Sequence, residues 1–204
     1  MKALIIVDVQ NDFCPGGALE VKNGDMIVSI INQMQHKFDL IIATQDWHPK
    51  EHKSFASNHN KNIGEVIDLN GVEQVLWPDH CVQNTKGAEF YPSLRTDLIN
   101  KVCKKGENVD IDSYSGFYDN DHENSTGLGN YLKESKVTEV YICGLATDYC
   151  VKFTALDSVK LGFKTYVLWD ACKGVDLNKG DVEKACIEME EYNIQIINSD
   201  KIKF

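Results

Sequence analysis

Apolar residues crowd into four short runs, at 3–9, 39–43, 137–143 and 164–169, each rich in Val, Ile, Leu or Tyr and flanked by polar or glycine-bearing stretches. Such short, continuous runs match strands buried on both faces of a parallel sheet. Weaker strand candidates lie at 99–103 and 194–197. Between them the segments 25–37, 126–136, 147–162 and 178–192 carry helical patterns. Strand and helix alternate, which predicts an α/β fold: an open, mainly parallel sheet with helices on both faces. The stretch 44–98 breaks this rhythm, with weak periodicity and many His, Asn, Pro and aromatic residues. Long irregular segments inside a compact domain are usually functional. This one reads as an elaborated loop over the strand ends, with a short helix or hairpin inside it.

Length and composition narrow the class. The 204 residues show no repeat, low-complexity tract or linker, so residues 1–204 are read as one domain. No run of about 18 apolar residues occurs, which argues against a membrane span. The chain enters a strand almost at once, without a charged leader and apolar stretch, and is expected to carry no signal peptide. A net charge of −10 disfavours nucleic acid as a partner. Seven cysteines, odd in number and without a CxxC pair, read as reduced thiols. A cytoplasmic location is therefore expected.

The candidate chemistry lies at the carboxyl ends of the strand runs, which share one edge in an open parallel sheet and bind ligands there. Asp8 interrupts LIIVDVQ, where an unpaired charge is costly. By itself it could equally form a turn or cap a helix. Lys105 follows the run at 99–103 and precedes a glycine; taken alone, it would be a surface lysine. Cys150 falls where TEVYIC hands over to a helix that Thr147 or Asp148 can cap. Placement in that first turn favours a thiolate and backbone N–H groups able to hold an oxyanion. Cys143, Cys103 and Cys186 read as core thiols, while Cys14 and Cys172 fall in loops. An acid/base, a cation and a nucleophile on three strand ends are the parts activated-thiol chemistry requires.

A metal set lies beside them. Asp46 and His48, two residues apart in QDWHP, point to one side of an extended segment. His80 is the natural third ligand and His52 a candidate fourth. One carboxylate and two imidazoles suit Zn, Mn or Fe, with positions left open for water or substrate. His36, His59 and His122 read as solvated.

With these residues placed, the chain resembles the nicotinamidases, a branch of the isochorismatase-like cysteine hydrolases. The likeness runs through DVQNDFCPGG, TQDWHP, WPDHCVQNTKGAEF, KKGENVDIDSYSGF and GLATDYCV, in that order. It implies a single isochorismatase-like domain with Rossmann-like layering that hydrolyses nicotinamide to nicotinate and ammonia in NAD salvage. It also implies a catalytic Asp8, Lys105 and Cys150, and one divalent ion, zinc first, on Asp46, His48 and His80, with His52 used by only some members. Phe13 and Trp77 would line the pyridine pocket, with Tyr114 a further wall. Backbone N–H groups of Ala146 and Cys150 would form the oxyanion hole, after a cis Leu145–Ala146 bond. A small-molecule substrate is the expected partner, and family habit favours self-association. Two readings compete with it. A related N-carbamoylsarcosine or ureidoacrylate hydrolase would not need the metal set, and a non-haem iron oxygenase would leave Cys150 without a role.

Overall fold

The computed structural model of the protein describes residues 1–202, so the last two of the expected 1–204 domain lie outside the described residues. The apolar runs form β1 (Lys2–Val7), β2 (Leu40–Asp46), β6 (Glu139–Leu145) and β7 (Lys164–Lys173). The weaker candidates form β5 (Lys101–Lys105) and β8 (Gln195–Ile197). All six join one sheet in the order β5-β2-β1-β6-β7-β8, and every pairing is parallel. Ala3 to Val7 and all of β2 are buried, which is why these strands read as unbroken apolar runs without alternation.

Four α-helices connect the strands: α1 (Ile27–Met34), α2 (Leu128–Glu134), α3 (Lys152–Lys160) and α4 (Asp181–Glu191). Both α1 and α3 pack against β7. The β1-to-β2 and β6-to-β7 connections step along the sheet in opposite directions. Right-handed crossovers therefore put α1 and α3 on opposite faces. The direction reverses between β1 and β6, and the crevice beyond the strand ends at such a switch point is where doubly wound sheets bind ligands. Gly144 brings the two backbones together there: at φ +121°, a side chain would place its Cβ 2.1 Å from the Val7 carbonyl oxygen.

The irregular stretch 44–98 holds the hairpin β3 (Val66–Leu69) and β4 (Val72–Val75), closed through Asn70 and Gly71, both at positive φ. Two sequence expectations need correction. Cys172 lies inside β7, which runs to Lys173, and is buried. The helix expected over 147–162 opens instead as a wide π-type turn, Thr147–Val151, and neither Thr147 nor Asp148 caps it. The Asp148 carboxylate faces the other way and accepts the N–H groups of Val175 and Asp176 at 2.9 and 2.8 Å. That contact holds the 174–176 loop beside the strand ends.

Candidate active site

Register does the first part of the assembly. Asp46 and Lys105 are the last residues of β2 and β5 and are direct partners in the ladder. The Lys105 ammonium is fully buried and sits among Asp46, Asp8 (2.9 Å), the Ser113 carbonyl (2.8 Å) and Cys150 Sγ (3.4 Å). Asp8 follows β1 at a positive φ of 47°, a conformation unusual outside glycine. Thr44 holds it there: its hydroxyl donates to Asp8 Oδ1 at 2.6 Å and accepts the Asp8 backbone N–H at 3.2 Å. Carboxylate oxygens of Asp8 and Asp46 and the Cys150 sulfur lie within 4.8 Å of one another.

These groups set one another's protonation. Burial, reinforced by Asp46 and opposed by Lys105, pushes the Asp8 carboxyl up to about 6. Burial acts on Asp46 in the same sense, but Lys105 and His48 outweigh it and hold that carboxyl well below its usual range. Burial also disfavours the Lys105 charge, yet Asp46 and Asp8 keep it firmly protonated. The thiol departs from the sequence expectation. Burial, with Asp8 and Asp46, pushes Cys150 well above an ordinary thiol despite Lys105. Its position at the start of a helix does not make it a resting thiolate; it carries its proton and sits beside a carboxylate able to take it.

The metal-type donors lie beside this group. Single donor atoms of Asp46, His48 and His80 all fall within 4.8 Å of one another, and all three residues are buried. Each imidazole is oriented through its other nitrogen. His48 Nδ1 donates to the Gly106 carbonyl at 2.9 Å and His80 Nδ1 to the Pro78 carbonyl at 2.8 Å. Gln10 fixes the carboxylate's backbone, accepting the Asp46 N–H and donating to its carbonyl, both at 2.8 Å. His48 Nε2 is buried without a hydrogen-bond partner, 3.5 Å from Asp46 Oδ2. Burial disfavours a charge on His48, but Asp46 raises its pKa. On His80, burial and His48 act together to lower the pKa to about 4. An orphaned nitrogen, a neutral imidazole and an ionised carboxylate fit a divalent cation.

His52 stands apart from that trio. Its Nδ1 accepts the Ser54 N–H at 3.2 Å and lies 2.7 Å from the Ser54 hydroxyl, while Nε2 faces the Ile111 carbonyl at 3.3 Å. Its ring packs 4.3 Å from that of His48, and it groups with His48 and Asp112 instead. Of the histidines read as solvated, His36 and His122 are exposed, and His59 is half-buried against the Lys53 carbonyl.

Cys150 and Asp46 face one small cavity. Phe13, Trp77 and Tyr114 line it, together with His80, Ala146 and four residues that sequence reading missed: Leu19, Asp112, Tyr149 and Val175. Tyr149 meets Trp77 edge-on at 4.8 Å, and Trp77 Nε1 donates to the Tyr114 hydroxyl at 3.1 Å, so the aromatic wall is braced. The Leu145–Ala146 peptide bond is cis. A thiol beside a base and a cation, facing cation ligands across an aromatic slot, is equipped to attack a carbonyl carbon held on a flat ring.

Fold and site together define an α/β cysteine hydrolase of the isochorismatase type, and the Isochorismatase domain model matches residues 2–201, so the chain belongs to that family. Within it the chain is similar to nicotinamidases. That of Acinetobacter baylyi is 49% identical over 98% of this chain and 94% of its own. The solved nicotinamidase pyrazinamidase of Acinetobacter baumanii superposes with a TM-score of 0.95 at 50% identity, covering 98% of this chain and 96% of that one. The pyrazinamidase of Pyrococcus horikoshii in complex with zinc superposes at 0.79 with 42% identity, covering 97% and 98%.

Proposed function

We propose that the protein is a nicotinamidase, hydrolysing nicotinamide to nicotinate and ammonia through an acyl-thioester on Cys150, and so returning the pyridine ring to NAD synthesis. The observation that carries this reading is the pairing on one cavity of the Asp8–Lys105–Cys150 cluster with the Asp46–His48–His80 donors. A ureido hydrolase needs the first set alone, and an iron oxygenase needs only the second.

Asp46, His48 and His80 would hold the divalent ion, for which the zinc-bound relative makes zinc the first candidate. When bound, that ion supplies a Lewis-acidic contact for a pyridine nitrogen. Phe13, Trp77 and Tyr114 hold the ring so that its carboxamide carbon meets the sulfur, a positioning contribution enzymes exploit strongly. Asp8 takes the Cys150 proton as the sulfur attacks. The backbone N–H groups of Ala146 and Cys150 receive the developing oxyanion. Asp8 then delivers its proton to the departing nitrogen, releasing ammonia, and the C–N bond breaks. A water deprotonated by Asp8 attacks the thioester, and nicotinate leaves as the thiol regains its proton. Lys105 keeps the negative charge of the cluster balanced throughout.

Ammonia release from nicotinamide, compared with N-carbamoylsarcosine and ureidoacrylate, with and without a chelator, tests the assignment. Rapid, chelator-sensitive release from nicotinamide alone is expected. Release only from the ureido compounds, indifferent to chelator, would overturn it.

A further inference from the structure

The cavity carries a second acidic side chain that this mechanism does not use. Asp46 is matched by Lys105 and by two imidazoles. Asp112 is 3% exposed; its oxygens accept the Ser113 N–H at 2.7 Å and Gln74 Nε2 at 3.2 Å, and one lies within 4.8 Å of ring nitrogens of His48 and His52 without bonding to either. No ion pair to it forms among the described residues. Two N–H donors on two oxygens is the pattern of an acceptor-only carboxylate. Gln74, itself 1% exposed, reaches in from β4 and contacts both Asp112 and the Tyr114 hydroxyl, so the carboxylate is built into the wall. Its charge is felt across the cavity, where it adds to burial in keeping the Cys150 thiol and the Tyr114 phenol protonated.

The reaction changes the charge of its ligand in place: a neutral carboxamide enters and a carboxylate must leave. We propose that Asp112 is a specificity-determining residue that makes the cavity discriminate against anionic acyl ligands, and so expels the acid product while leaving neutral amide binding almost untouched. The inference rests on the amide-hydrolysis reading above. Two like charges facing one small cavity at a protein-like effective dielectric repel by an amount worth about tenfold or more in affinity. A neutral carboxamide feels only a dipole-sized fraction of that. The carboxylate of Asp112 thus favours turnover by weakening product inhibition.

The test compares the product-inhibition constant of nicotinate with the KM of nicotinamide in the wild-type chain and in Asp112→Asn, both metal-supplied. The substitution is close to isosteric. Nicotinate should bind about tenfold more tightly to D112N while the KM for nicotinamide stays within about threefold. Asp112→Glu, which keeps the charge, should retain the wild-type ratio. If D112N does not fold, as judged by its thermal transition, Asp112→Ser carries the same expectation. A nicotinate-to-nicotinamide ratio within about twofold of wild type in the folded neutral variant would overturn the proposal. So would a rise in both constants together, the signature of a contact to the amide or of general loosening. Absence of ammonia release by the wild-type chain would instead overturn the nicotinamidase reading.

Discussion

At the residue scale, Asp8 is the control point, because its raised pKa separates two protonation states within the working range. Proton abstraction from Cys150 needs the carboxylate, and burial pushes that group up to about 6. Below that value Asp8 is protonated and cannot act as base, so kcat/KM should fall about tenfold per pH unit on the acid side and level off above it. A profile flat from pH 4 to 8 would remove Asp8 from the role. Asp8→Asn should lower the rate on the order of 10²–10⁴-fold, read by ammonia release. Lys105→Met should act on stability as well, since it leaves two buried carboxylates without their cation. Breaking such a cluster costs about 3–5 kcal/mol, measurable by denaturant unfolding. The charged residues themselves were legible in the sequence because each interrupts or closely follows an apolar run. Their supports were not. Thr44, Gln10 and Asp112 act through hydrogen bonds to residues 36 to 38 positions away in the chain, and no local pattern marks such contacts. The Cys150 thiol was misjudged for a related reason, since a helix start is visible in sequence and the depth of burial is not.

At the scale of elements, strand ends and their following turns set the site. The turn after β5 is the tightest case. Gly106 has φ +65°, its carbonyl orients His48, and a Cβ on it would sit 2.3 Å from His48 Cε1. Gly106→Ala should therefore displace an imidazole without touching the sulfur. Metal affinity should drop about 10–100-fold, as for lost outer-shell support, measured by chelator competition. Unchanged affinity would mean that His48 does not bind the ion. The six strands and four helices were readable because burial on both faces and helical periodicity leave strong patterns. The β3–β4 hairpin was not located, only allowed for. Its strands are four residues each and only Leu69 and Gln74 are buried, with Val66 52% accessible, so neither alternation nor an apolar run marks them. The end of β7 was missed because Asp170 interrupts its apolar run.

At the scale of the whole molecule, the site belongs to no single segment: β1, β2, β5 and β6 each contribute one end. We propose that the chain is one domain, and the expected consequence is a single cooperative unfolding transition, coincident by far-UV circular dichroism and tryptophan fluorescence. Two separated transitions would contradict it. Activity and fold should be lost separately on chelation, because the sheet core from Ala3 to Val7 does not depend on the ion: turnover should vanish while the transition remains. The most direct test of the covalent account is mass spectrometry of the chain quenched during turnover of nicotinamide. A nicotinoyl group on the Cys150 peptide, absent from Cys150→Ala, is the predicted result. A Cys150→Ala chain that releases ammonia at the wild-type rate, with no acyl adduct on the wild type, would contradict it.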